Sequence, residues 1–121
     1  MGLDMYAMTT STKPDRAVDF EAEDAVQFYY WRKHPNLHGW MEALYRQKGG
    51  QAECFNCVPV ALDAADLDRL EADLKAGALP DTEGFFFGES DGTEFEDDLA
   101  FIQEARRLLA QGLTVFYDSW W

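Results

Sequence analysis

The sequence predicts a single α+β domain over residues 1–121, in which three helices cover one face of a small sheet of about four strands. Short apolar and aromatic runs typical of strands alternate with three segments whose apolar side chains recur at helical spacing. A glycine follows each helical segment. The predicted order is β-β-α-β-α-α-β, and at 121 residues with 47% hydrophobic content the chain is long enough for one packed core.

Two strands are predicted before the first helix. Residues Gly2–Met8 are short and apolar, and Thr9–Arg16 is a polar loop that contains Pro14. Residues Ala25–Arg32 are rich in aromatic side chains, which favours a buried strand.

The first helix is predicted to start at Pro35, because proline is favoured at the first helical position, and to end at Gly49-Gly50. Its apolar stripe follows i, i+3, i+4, i+7, i+8 spacing and comprises Leu37, Trp40, Met41, Leu44 and Tyr45.

Residues Cys54–Leu62 are predicted to form the next strand. Asp63 is a favourable N-cap for a second helix that ends at Gly77, and the buried face of that helix should carry Leu67, Leu70 and Leu74.

The third helix and the last strand follow a loop that contains the run Gly84-Phe85-Phe86-Phe87-Gly88. Thr93 and Glu96 have the spacing of a capping box. The predicted buried face of this helix, which ends at Gly112, is Phe95, Leu99, Ile102, Ala105 and Leu109. Residues Leu113–Trp121 form the predicted final strand.

The formal net charge is −13, and the segment 63–104 alone holds fourteen acids against two bases. Such a field opposes binding to bare nucleic acid and to anionic membranes, and it suits a basic protein surface. No apolar run approaches the roughly 20 residues of a membrane span, and the N-terminus carries Asp4 where an export signal needs bases. We therefore expect a cytoplasmic protein with Cys54 and Cys57 reduced.

Several blocks in combination resemble a family of small phage and prophage proteins. They are the opening Met-Gly-Leu-Asp-Met-Tyr, the block Tyr30-Trp31-Arg32-Lys33 with Leu37-His38-Gly39-Trp40, and the run Gly84–Gly88. The resemblance implies a phage or mobile-element origin, with the cytoplasm of a bacterial host as the location. It implies no catalytic residues. Some members carry the label phosphoglycerate kinase, which does not suit this chain: that enzyme has two large domains, and no Gly-x-x-x-x-Gly-Lys-Ser/Thr phosphate loop is present.

His34, His38, Cys54 and Cys57 have the residue types of a tetrahedral zinc site. Pro35 biases His34 away from helical geometry, and two cysteines in one strand at this spacing would point to opposite faces. We therefore predict no bound metal and no other cofactor. The alternative is a surface His34, a His38 that is hydrogen-bonded near Trp31, and one buried structural thiol.

The sequence favours a non-enzymatic, acidic protein-binding module that inhibits a host nucleic-acid-handling defence complex, as an anti-CRISPR or other anti-defence protein would. The partner would be a basic host protein or nucleoprotein complex, with no direct contact to nucleic acid or membrane. We place the interface on the outer face of the second helix and the start of the third, with an aromatic anchor in the Phe85–Phe87 run. A solvated acidic face without a partner, and a Phe85–Phe87 loop folded over the sheet with one ring exposed, are the alternatives. The predicted binding residues are Asp66, Asp68, Glu71, Asp73, Asp91, Glu94, Asp97, Asp98 and Phe86.

Two other functions stay open at this point. One is a small metal- or ligand-dependent enzyme that uses His38 and an aromatic pocket. The other is a homo-oligomeric structural or regulatory module, for which Trp120 and Trp121 could help to form a homodimer.

Overall fold

The structure is a computed structural model that describes residues 2–82 and 94–121. It confirms the predicted α+β class and the predicted order of elements. The elements are β1 (Asp4–Thr10), β2 (Val26–Arg32), α1 (Pro35–Gln47), β3 (Val60–Leu62), α2 (Ala64–Ala76), α3 (Phe95–Ala110) and β4 (Thr114–Trp120).

The four strands form one antiparallel sheet in the order β2-β1-β4-β3. The first and last strands of the chain therefore pair at the centre of the sheet, with Met5 opposite Ser119 and Ala7 opposite Tyr117. The β3 edge is extended by a bridge between Val18 and Val60. The β2 edge is the other end of the sheet, and its pairing with β1 shifts register after Ala7.

All three helices pack on the same face of the sheet. Alternate side chains of the strands enter the core with the apolar stripes of the helices, as period-2 alternation requires. The strand residues of this core are Met5, Ala7, Trp31, Val60, Leu62, Val115 and Tyr117. None of the helices within ranges 2–82 and 94–121 is long and apolar enough to cross a membrane.

The local signals for α1 and α2 are confirmed. The predicted stripe of α1 is buried along its whole length, and Pro35 begins the helix. In α2, Asp63 and Asp66 form a reciprocal capping box, and Gly77 ends the helix in the left-handed conformation with a φ of 65°. A hydrogen bond from the backbone N–H of Asp66 is the main cause of the lowered pKa of the Asp63 carboxyl.

The predicted buried face of α3 is confirmed at Ile102 and Ala105, whereas Leu99 and Leu109 are only half-buried against the core. The buried side chains are Asp98, Phe101, Ile102, Ala105 and Leu108, whereas Phe95 is 39% exposed. The helix begins at Phe95 with Glu94 as its N-cap, and the Thr93 half of the predicted capping box lies outside the described residues. The buried stripe includes the carboxylate of Asp98, which a pattern of apolar side chains alone does not predict.

Two strand predictions also need correction. The segment 54–59 is not strand, because Cys57 has a φ of 60° that interrupts extended backbone, so β3 contains only residues 60–62. The aromatic strand β2 is not buried: it lies at the sheet edge, and only Trp31 among its seven residues is fully buried.

Candidate functional site

An acidic cleft forms where the N-termini of α1 and α3 meet the C-terminus of α2. Its volume is about 410 Å³. Three carboxylates line it together with one histidine and an apolar wall. We call this site the acidic cleft, and its lining comprises His34, Asn36, Leu74, Gly77, Leu79, Asp81, Glu94, Phe95 and Asp98.

The floor of the acidic cleft is a buried hydrogen-bonded network centred on Asp98, which is 1% exposed. One carboxylate oxygen of Asp98 lies 2.8 Å from Nε2 of His34, and the other accepts a hydrogen bond of 3.0 Å from Nε1 of Trp31. Glu94 Oε1 lies 3.9 Å from Nδ1 of His34, on the other side of the ring. The imidazole is thus held between two carboxylates.

Local sequence explains how each side chain reaches this floor. Trp31 is on the helix-facing side of β2, and two residues later the chain turns through Lys33, which has a φ of 62°. The turn places His34 at the N-cap of α1. Asp98 is in the first turn of α3, where a carboxylate interacts favourably with the helix dipole.

The segment 79–82 closes another side of the cleft. The backbone N–H of Thr82 donates a hydrogen bond of 3.1 Å to the side-chain oxygen of Asn36, at the start of α1. Asp81 is exposed at the rim, and Leu79 is half-buried against the core.

This combination of groups suits a cationic side chain with an apolar stem. The carboxylates can accept hydrogen bonds from a lysine or arginine head group, and such charge-assisted bonds are stronger than neutral ones. Leu74, Leu79 and Phe95 supply apolar surface against which a methylene stem can pack.

The predicted interface residues do not form one outward-facing acidic surface. Two of them are buried, contrary to prediction: Asp98 in the floor of the cleft, and Asp66, which is 5% exposed. Asp66 accepts hydrogen bonds from Lys48 and Arg69 and completes the α2 capping box. A buried carboxylate whose oxygens already accept several hydrogen bonds within the chain stabilises the fold and is not available to a partner.

Other predicted interface acids are exposed or half-buried but have partners within the chain. Arg106 donates hydrogen bonds of 2.8 Å to Asp68 and 3.1 Å to Glu71, and the bond to Glu71 is the main cause of the lowered pKa of that carboxyl. Asp73 accepts a bond of 2.8 Å from the indole of Trp40.

At the start of α3, Asp97 is exposed and accepts a hydrogen bond from Tyr29, whose pKa is raised by burial and then by Asp97 and Asp98. The predicted residues Asp91 and Phe86 lie outside the described residues. The structure therefore brings Glu94 and Asp98 together in the cleft and leaves Asp97 beside it.

The two histidines have roles that differ from prediction. His34 is 3% exposed rather than on the surface. His38 bonds through Nδ1 to the hydroxyl of Tyr117 at 2.7 Å, not near Trp31, and its ring also hydrogen-bonds to the backbone carbonyl of Phe55. Burial lowers the pKa of His38 to about 4, so the ring is neutral at pH 7.

Both cysteines are exposed and free, so the predicted buried thiol is absent as well. Partial desolvation of the Cys57 thiol, followed by the nearby Asp118, raises the pKa of that thiol, which disfavours the reactive thiolate. Within the described ranges no three His, Cys, Asp or Glu side chains converge as metal ligands would.

The network of Trp31, His34 and Asp98 was missed by sequence reasoning. The spacing of Asp98 to Phe101, Ile102 and Ala105, which is i, i+3, i+4, i+7, indicates burial of Asp98 but does not identify its partners. Comparison with known protein-family models, with curated proteins and with solved structures finds no match to this chain.

Proposed function

We propose that this chain is a non-enzymatic, acidic binding module that docks on a basic surface of a partner protein. The observation that carries the proposal is uncompensated negative charge. The formal net charge is −13. Seven of the ten lysines and arginines already form ion pairs with acids in the described part of the chain. Little positive charge is left to offset the field outside the molecule.

The acidic cleft and its rim are the proposed docking site. The segment 63–104 holds fourteen acids and two bases, and the C-terminus of α2, residues 79–82 and the start of α3 all belong to it. Asp81 lines the cleft and is exposed, and Glu96 and Asp97 are exposed in the first turn of α3, next to the lining residues Glu94 and Asp98. The apolar wall of Leu74, Leu79 and Phe95 provides the desolvated contact that a purely charged surface lacks.

The proposed partner is a protein that handles nucleic acid in the bacterial host, because proteins with this task present clustered lysine and arginine for phosphates. An acidic module that occupies such a surface competes with the nucleic acid and inhibits the partner, as anti-CRISPR and other anti-defence proteins do. Electrostatic complementarity would speed the encounter and make it depend on salt. The resemblance to small phage proteins supports this origin and remains a prediction.

The test uses two variants of equal charge. Proteins captured from a host lysate are identified by mass spectrometry, and the binding kinetics of a purified basic candidate are then measured. The docking variant carries Asp81→Lys, Glu96→Lys and Asp97→Lys. The matched control carries Asp15→Lys, Glu21→Lys and Glu23→Lys. All six positions are exposed, and each triple reversal changes the formal net charge from −13 to −7.

We expect the docking variant to associate at least about tenfold more slowly than wild type, with a weaker dependence on salt, and the control to lose much less. Equal losses in the two variants would show that only total charge matters and would contradict docking at the cleft. A partner that binds at an unchanged rate to both variants would remove the electrostatic basis of the proposal.

A further inference from the structure

The sheet has a second face, opposite the helices, that residues 2–82 and 94–121 leave largely uncovered. Phe20 covers one end of this face, near Thr10. Its ring packs edge-on against the ring of Phe116 in β4, with a distance of 5.3 Å between the ring centres. The remainder carries two cross-strand rows of three side chains. We call it the open face, and its rows are Arg32, Asp4 and Trp120, then Tyr30, Tyr6 and Asp118.

The open face presents aromatic surface. Trp120 is 67% exposed and Tyr30 is 45% exposed, the two most exposed aromatic side chains in the described ranges. The rings of Tyr6 and Tyr30 contact each other at 5.6 Å. Tryptophan, tyrosine and arginine are the residue types that dominate binding energy at protein interfaces.

Asp4 in the first row is paired with polar groups from both rows. The hydroxyl of Tyr30 donates a hydrogen bond of 2.5 Å to Asp4, and Nε of Arg32 lies 3.6 Å from the same carboxylate. Asp118 is partly buried, which raises the pKa of its carboxyl. A surface that docks on the open face would therefore remove water from aromatic rings and from the Arg32–Asp4 ion pair. Desolvation of a charge that is already paired costs less than desolvation of an isolated charge.

The open face carries far fewer charged residues than the rest of the molecule. The three strands β1, β2 and β4 contain two acids, Asp4 and Asp118, and one base, Arg32, in a chain whose net charge is −13. A basic partner is attracted to the acidic cleft on the helix side. A second copy of this chain is repelled by that side and meets few charges at the open face.

The strand order allows two open faces to meet about a two-fold axis. An axis parallel to the strands and above β1 would place β2 of one copy over β4 of the other. Arg32 then faces Trp120 of the second copy, an arrangement that allows a cation–π contact, and Tyr30 faces Asp118. Asp4 and Tyr6 lie at the axis, each opposite its own counterpart.

We propose that two copies of this chain associate through their open faces as a two-fold dimer, with Trp120 as the main anchor. The acidic cleft of each copy lies on the helix side and stays accessible. This inference does not depend on the partner proposed for the cleft.

Sedimentation equilibrium of the full chain measures the dimer directly. Wild type is compared with Trp120→Glu and with Phe95→Glu, which places the same charge on an exposed aromatic position of α3 on the helix side. Each protein is measured over a concentration range up to about 100 µM. Far-UV circular dichroism and thermal unfolding verify that each variant is folded.

We expect wild type to show dimers, Trp120→Glu to weaken dimerisation at least tenfold, and Phe95→Glu to behave as wild type. Dimerisation should strengthen as salt rises from about 50 to about 500 mM, because screening reduces the repulsion between two copies of charge −13. Binding at the acidic cleft should weaken over the same range, so failure of either proposal leaves the other testable.

Three results would overturn the proposal. Wild type could remain monomeric at every concentration and salt level, or Trp120→Glu could dimerise as well as wild type. Dissociation by Phe95→Glu alone would place the self-interface on the helix side.

Discussion

Nε2 of His34 lies 2.8 Å from a buried carboxylate oxygen of Asp98, although the two residues are 64 positions apart in sequence. This bond fastens the start of α1 to the start of α3, and the second oxygen of Asp98 ties both to β2 through Trp31 at 3.0 Å. A single carboxylate thus joins three elements at the floor of the acidic cleft.

We expect Asp98→Ala to reduce the free energy of unfolding by about 2–4 kcal/mol, because it leaves a buried indole N–H and a buried imidazole without their acceptor. Glu96→Ala is the matched control, since Glu96 is also in the first turn of α3 but is exposed. Urea unfolding measures both. A loss after Asp98→Ala no larger than after Glu96→Ala would show that the network stabilises nothing.

Two acids of α2, Asp66 and Asp68, should likewise differ in how much they contribute to the free energy of unfolding. Asp66→Ala removes the N3 half of the capping box and the buried acceptor of Lys48, so we expect a loss of about 2–3 kcal/mol in unfolding free energy. Asp68→Ala removes one exposed ion pair with Arg106, so its expected loss is less than about 1 kcal/mol.

Both changes remove one negative charge from the same helix. Thermal or urea unfolding of the two variants side by side therefore compares the buried contacts and cap of Asp66 with the surface ion pair of Asp68. Comparable losses would mean that the contacts of Asp66 with Lys48 and Arg69 contribute no more than a surface pair.

The sequence predicted the parts of the fold whose signals are local. For α2, the N-cap Asp63, the buried stripe through Leu67 and Leu74 and the C-terminal Gly77 are all signals within or next to a single helix, and each is confirmed. The aromatic content of β2 indicated a strand correctly but not its place in the sheet. Edge and centre positions depend on which strands pair, and local composition does not encode that choice.

The acidic cleft could not be predicted because its floor is assembled from distant residues. An acid in an otherwise apolar stripe indicates a residue of the outer face, so the sequence predicts that Asp98 is exposed and that Phe95 and Leu99 belong to the buried stripe of α3. Only the positions of Trp31 and His34 show that Asp98 has buried donors. Burial of a charge is decided by its partners, and those are known only after folding.

Charge predicts that the chain does not bind nucleic acid at about 150 mM salt. Binding requires cations that displace counterions from phosphates, and seven of the ten cations pair with acids of the described ranges. Gel shifts with single- and double-stranded DNA and RNA should show no complex at micromolar protein. A salt-sensitive shift at that concentration would contradict the prediction.

The buried pair of His38 and Tyr117 predicts a loss of stability in mild acid. Burial holds the pKa of His38 at about 4 in the folded chain, against 6.5 for an ordinary histidine. As pH falls below 6.5 the unfolded chain takes up a proton that the folded chain refuses until about pH 4, so protonation favours unfolding throughout that window. From pH 7.5 to 4.5 this site alone should reduce the unfolding free energy by about 2.5 kcal/mol.

The variant His38→Gln isolates this contribution. Its amide can accept from the hydroxyl of Tyr117 and donate to the carbonyl of Phe55, but it does not titrate. Urea unfolding of wild type and variant at pH 7.5 and 4.5 gives two pH dependences, and their difference removes the effects of the carboxylates that both chains share. We expect wild type to lose about 2.5 kcal/mol more than the variant over this interval. Parallel pH dependences would show that His38 is protonated as readily in the folded as in the unfolded chain, which its 1% exposure and its bond to Tyr117 argue against.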